Sequence, residues 1–258
     1  MDPVKKSYYL GILFLVLALL LGGLAFYDYR KTKMAGQEYE DLKQQVMEEP
    51  EPVEEEPMPE ENPAVEIPID FVALQKENPD IYAWIRVPGT AVDYPVVQSS
   101  TDNQYYLDHT VSGEKKAEGA IFTENYNGKD FEDPNTVIYG HDMKNGSMFQ
   151  SLHQFMDRSF FDENREIIIY LPDRILHYEI FAAYLYDNRH LLHSFDFRDQ
   201  KVYQQYLDTI FSMRDMKAFV NQEIKVGADD KILTLSTCYA RMKEKRYLVQ
   251  GVLQTVEE

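Results

Sequence analysis

Eight short apolar runs between residues 82 and 256 most narrow the folds open to this chain. They read YAWIRV, AVDYPVVQ, GAIFTE, NTVIYG, EIIIYLP, ILHYEIFAAYLY, DKILTLSTC and RYLVQGVLQTV. In the sixth, Leu176, Tyr178 and Ile180 alternate with His177, Glu179 and Phe181, the period of two that a strand requires. Helical patterns interrupt the set. DFVALQKENPD forms a short helix ended by Pro79, and SMFQSLHQFMD opens with a capping box of Ser147 and Gln150. RDQKVYQQYLDTIFSM, residues 198–213, places Val202, Tyr206, Ile210 and Met213 on one face at helical spacing. Eight strands with scattered helices predict a mainly β domain over residues 69–258, barrel or sandwich. No internal repeat is visible.

The segment before this domain has a different character. From Ser7 to Tyr27 the chain carries no charge, about the 20 residues a helix needs to cross a bilayer. Tyr8, Tyr9, Tyr27 and Tyr29 stand at its ends, where interfacial aromatics are favoured. Lys5 and Lys6 precede the run and Arg30, Lys31 and Lys33 follow it, so the flanking charge is nearly balanced. The run is long for a signal-peptide core, and an uncleaved single-pass anchor over residues 1–33 is expected. Residues 34–48 suit a polar helix. Prolines at 50, 52, 57, 59, 63 and 68 among many glutamates then predict an extended, solvated linker ending at residue 68. The net charge of −18 is concentrated here, since residues 34–66 hold 12 Asp and Glu against one Lys. The acidic balance argues against nucleic acid as a partner, since phosphates need a basic footprint.

Cys238 is the only cysteine, so it cannot form a disulfide within its own chain. It is either a small buried apolar residue or a reactive thiol. Ile232 to Leu235 is apolar but STCYA turns small and polar, as at a strand end leaving the core. A nucleophilic thiol needs a base or cation beside it. Of the six histidines, His153 falls within a helix, His177 on one strand face, His109 in a turn, and His190 and His193 in a loop-like stretch. His141 instead follows Gly140 at the end of NTVIYG and projects from a strand end, where sites on β scaffolds are usually built. Arg246 opens the last strand. If the last two strands pair antiparallel, it faces Cys238 and its guanidinium can hold an oxyanion. Spacing leaves open whether it is instead one charge in a basic loop with Arg241, Lys243 and Lys245. No cluster of metal-ligating side chains is visible, Asp229 and Asp230 being too few for calcium.

LTLSTC followed by an arginine, together with NTVIYGHDMKNGSMFQSL, WIRVPGTAVDYPVVQ and DNQYYLDH, closely resembles the sortases, specifically class B, across residues 69–256. The resemblance implies a closed eight-stranded β-barrel with peripheral helices, the helix at 198–213 being an insert between the sixth and seventh strands. It also implies a membrane-anchored cysteine transpeptidase outside a Gram-positive cell. Such an enzyme cleaves a C-terminal sorting signal after Thr and passes the acyl group to a peptidoglycan precursor amine, without cofactor or metal. By that resemblance Cys238 is the nucleophile, His141 the general acid and base, and Arg246 the oxyanion stabiliser. Asn103, Ser236 and Thr237 would line the peptide groove, and NPxT- or SPxT-like signals would be the substrates. Two other readings stand beside it: a pilin-polymerising sortase, and a non-catalytic peptide-binding barrel.

Overall fold

The computed structural model describes residues 14–27, 30, 39–44, 65–239, 242 and 244–258. The chain divides into two compact units, Met1–Leu42 and Lys43–Glu258. In the smaller unit residues 14–27 are helical, with the large apolar side chains Phe14, Leu17, Leu20, Leu24 and Tyr27 exposed. Among the described residues no helix is long and apolar enough to cross a membrane. Residues 1–13, 28, 29 and 31–33 of the expected anchor lie outside the described residues, as do residues 34–38 and 45–64 of the acidic linker.

In the larger unit all eight expected runs are strands. They are β1 (Ile81–Arg86), β2 (Asp93–Val97), β3 (Ile121–Thr123), β4 (Asn135–Gly140), β5 (Glu166–Tyr170), β6 (Ile175–Asp187), β8 (Ile232–Cys238) and β9 (Lys245–Glu257). A two-residue strand that periodicity cannot reveal, β7 (Phe219–Val220), adds to the edge of β6. The sheet runs β5-β1-β2-β3-β4-β8-β9-β6-β7, and β5 pairs back onto β6. That pairing closes eight strands into a barrel, which leaves no open edge in the ring. β2 with β3 and β4 with β8 are parallel, whereas the other pairs are antiparallel.

The helices follow their caps. Asp70 accepts from the Ala73 N–H at 2.9 Å and starts Phe71–Glu77, and Asp199 accepts from Lys201 and Val202 to start Gln200–Phe211. Each is the acceptor an N-terminal turn requires. The predicted capping box does not form. Ser147 donates to Asn145 instead, and the turn that follows is a 3₁₀ helix, Gln150–Met156, with no side-chain cap. The buried face of Gln200–Phe211 is Tyr203, Tyr206, Leu207 and Ile210, so Val202 and Met213 lie at its margins rather than at its centre.

This helix explains where the alternation of β6 stops. His177 and Glu179 are half-buried on the outer face of the barrel, but Phe181 on that face is fully buried. The β6–β9 register shifts between Ile180 and Ala182. The bulge changes the phase of the strand, so Phe181, Ala182 and Tyr184 all join one cluster with Tyr203, Tyr206, Leu207 and Ile210. Within that apolar cover runs a continuous polar chain. Tyr184 donates to Gln250 Oε1 (3.0 Å), Gln250 Nε2 donates to Tyr206 Oη (2.7 Å) and Thr234 Oγ1 (2.8 Å), and Thr234 donates to Asn135 Oδ1 (2.8 Å). Tyr206 and Tyr184 share a further hydroxyl contact at 3.0 Å. Burial raises the Tyr184 and Tyr206 phenols, so both remain neutral hydroxyls able to donate and accept. The chain ties the inserted helix to β4, β6, β8 and β9 at once. Gln250→Leu takes one hydrogen bond from each of Tyr184, Tyr206 and Thr234 inside the core, and a loss of about 2 kcal/mol is expected in urea unfolding.

Candidate active site

Alternation along four adjacent strands assembles one row of side chains. In β4 the outer positions are Asn135, Val137 and Tyr139; in β8 they are Ile232, Thr234, Ser236 and Cys238. Arg246, Leu248 and Gln250 on β9 and Tyr186, Tyr184 and Ala182 on β6 continue the same face. The inserted helix covers one end of this face. The other end is open, as a cleft of about 300 Å³.

The chemistry collects at the open end because β4 and β8 finish, and β9 begins, at one level. β4 and β8 run parallel with Gly140 opposite Thr237, so the next residues, His141 and Cys238, emerge side by side. β9 returns antiparallel with Arg246 opposite Cys238, and directly opposed residues hold their Cβ atoms about 4.5–5.5 Å apart on the same face. Cys238, His141 and Arg246 all line the cleft, and Cys238 is exposed. That placement removes the buried-core reading of the lone thiol. Arg241, of the basic loop before Arg246, lies outside the described residues.

Gly140 makes the approach to His141 possible. A Cβ there would stand 2.6 Å from Ile121 Cδ1 and from the Phe149 ring, so only glycine lets the strand end pass over the core. His141 is then fixed at both ends. Its carbonyl accepts from the Phe149 N–H at 2.9 Å, and its Nε2 meets the Leu107 carbonyl at 2.6 Å. A carbonyl only accepts, so Nε2 carries the proton and Nδ1 is the nitrogen left for proton exchange.

Asn103 and Ser236 line the cleft as expected. The Asn103 Oδ1 accepts from the Asn125 N–H at 2.7 Å, which leaves its amide N–H groups for a ligand. Thr237 borders the cleft too, but alternation turns its side chain to the opposite face, where it is 1% exposed. Its contribution to the groove is therefore backbone. Sequence reasoning missed several wall residues: Leu107, Phe122, Glu124, Tyr139, His190 and Leu191. Tyr139 was legible, standing two residues before His141 in the same strand. Burial, reinforced by the nearby Glu124 carboxylate, raises its phenol. No local pattern announced Glu124 or His190, because tertiary folding alone brings them to the cleft.

The electrostatic frame is local. Arg189 donates to both oxygens of Asp187 at 2.8–3.0 Å, a forked pair that holds the Asp187 carboxyl below the usual carboxylate range. Burial raises the Tyr186 phenol, against the opposing charge of Arg189.

Comparison with known proteins matches this architecture. A sortase domain model matches residues 85–254. A sortase B of Listeria monocytogenes is 36% identical over 192 residues, covering 70% of this chain and 73% of that protein. Among solved structures, sortase B of Bacillus anthracis superposes with a TM-score of 0.70 at 30% identity, covering 87% of this chain and 98% of that one. A Staphylococcus aureus sortase B–substrate complex does so with a TM-score of 0.62 at 31% identity, covering 72% and 84%. With the barrel, the strand-end cysteine and these relatives in agreement, the chain belongs to the sortase family as a class B sortase, a cysteine transpeptidase.

Proposed function

We propose that the chain cleaves a C-terminal sorting signal after Thr and transfers the new acyl group to an amine of the peptidoglycan precursor. The observation that carries this reading is the one level at which β4 and β8 finish and β9 begins, which sets His141, Cys238 and Arg246 on one cleft. The Cys238 thiolate attacks the threonyl carbonyl carbon, and the carbonyl electron pair moves to oxygen. Arg246 donates to that developing oxyanion, which a fixed guanidinium stabilises without reorganisation. Collapse breaks the C–N bond, and protonated His141 gives its proton to the leaving amine. A thioester remains on Cys238. The incoming amine attacks it, His141 takes the amine proton, and the thiolate leaves.

The cleft suits a peptide in extended form. Its floor is apolar at Val137, Leu191 and Leu248, and its rim carries the amide of Asn103 and the hydroxyl of Ser236. An NPxT- or SPxT-like segment fits that mixture, because prolines hold it extended and the threonine supplies the reacting carbonyl. A substrate complex is known for the related Staphylococcus aureus enzyme. We assign residues 1–33 to a single-pass anchor with its N-terminus cytoplasmic, 34–68 to an acidic linker and 69–258 to an extracellular catalytic domain. The exposed apolar surface of the helix at 14–27 supports the anchor. A cell-surface position agrees with the family.

Mass spectrometry of the full chain with signal pentapeptides tests the reading. An adduct on Cys238 that an added amine discharges is expected. Cys238→Ala is expected to abolish it while keeping the wild-type melting temperature, because the side chain is exposed. His141→Ala is expected to lose turnover comparably; substantial remaining transpeptidation removes it from the proton-transfer role. Arg246→Ala should cost roughly 2.7–4 kcal/mol in kcat/KM, the usual loss of one oxyanion donor. A larger loss in Arg241→Ala assigns the oxyanion to that residue instead.

A further inference from the structure

One wall of the cleft is held by a pair that the proposed chemistry does not use. Glu124 follows β3, and His190 sits 66 residues later, before the one-turn helix Leu191–Ser194. His190 Nε2 and Glu124 Oε2 are 2.6 Å apart, and their side chains are 29% and 12% exposed. The other nitrogen of the same ring, Nδ1, accepts from the His193 N–H at 3.3 Å. The imidazole therefore donates at Nε2 and accepts at Nδ1, which fixes one neutral tautomer. One ring both caps the short helix and binds it to the end of β3.

The surroundings lock this arrangement. The His190 ring stacks on His193 at 3.9 Å, and Tyr126 stands edge-on to both. Leu191, the first residue of the helix, is buried against the cleft floor. On the β3 side, Asn125 donates to Asn103, so the clasp and the segment bearing Asn103 meet at one corner. A single helical turn has no stability of its own. Its position relative to Cys238 depends on what ties it down.

We propose that Glu124 and His190 form a clasp that sets the cleft wall from Asn188 to Leu191 at the spacing a bound signal peptide needs. Both line the cleft and act as positioning residues: they hold the wall in place and take no part in the bond-making steps. The proposal rests on the transpeptidase reading and deepens it, by naming what shapes the peptide site.

The test uses the full chain, a peptide that wild type turns over, Glu124→Gln, His190→Ala, their double variant, and His190→Gln. In His190→Ala, KM should rise roughly tenfold, the size of one charge-assisted hydrogen bond, and in Glu124→Gln, which keeps a neutral acceptor, it should rise by less. The rise should come with kcat within about twofold of wild type. The double variant should be no worse than the worse single, since both break one contact. His190→Gln, which keeps a donor and an acceptor, should recover most of the affinity. Unchanged KM, additive effects, or a loss confined to kcat each overturn the clasp. If the variants do not fold, amide exchange on wild type decides. Protected N–H groups at His193, Ser194 and Phe195 are expected, and unprotected ones overturn the proposal. Failure of wild type to acylate with any signal peptide instead overturns the transpeptidase reading.

Discussion

The parallel pairing of β4 with β8 is the constraint on which the site depends. Six consecutive residue pairs, from Asn135 with Ile232 to Gly140 with Thr237, fix one register. A slip of one residue would turn every outer side chain inward, moving Cys238 into the core and Ser236 away from the cleft. Closure through β5 and β6 holds that register from both sides. Parallel neighbours need a long crossover, and here the chain between β4 and β8 supplies β5, β6 and the inserted helix. The connection that permits the pairing thus also builds the wall and cover of the site.

The outer face of β4, β8, β9 and β6 changes character along its length. At one end Tyr203, Tyr206, Leu207 and Ile210 bury it, and the hydrogen-bonded chain through Gln250 and Thr234 satisfies the polar groups trapped there. At the other end the cover stops, and the same alternation turns Ser236, Cys238 and Arg246 toward the cleft. A rigid scaffold and a reactive opening are two ends of one surface.

Much of the fold was legible because strands of this domain are short, apolar and bounded by turn residues. All eight runs are strands, and the helix at 198–213 contracts only to Gln200–Phe211. The errors have physical sources. The Ser147 capping box fails because Asn145 competes for the serine hydroxyl. The outward phase of β6 is lost at Phe181 because a bulge and a packed helix override period two. Thr237 was expected in the groove from its neighbourhood to Cys238, yet strand alternation buries its side chain.

By itself the sequence determined the strand set, the single thiol at a strand end, and a histidine and an arginine at the margins of two other strands. Those follow from local periodicity and from the change from apolar to polar residues at Ser236, which act within a few positions of one another. Tertiary structure decided the rest: that β4 lies parallel beside β8, so that His141 and Cys238, 97 positions apart in the chain, line one cleft. It also decided that Glu124 reaches His190 and that Tyr206 reaches Gln250. Such contacts carry no local signature, because closure of the barrel, not the spacing of residues along the chain, sets the distances between them.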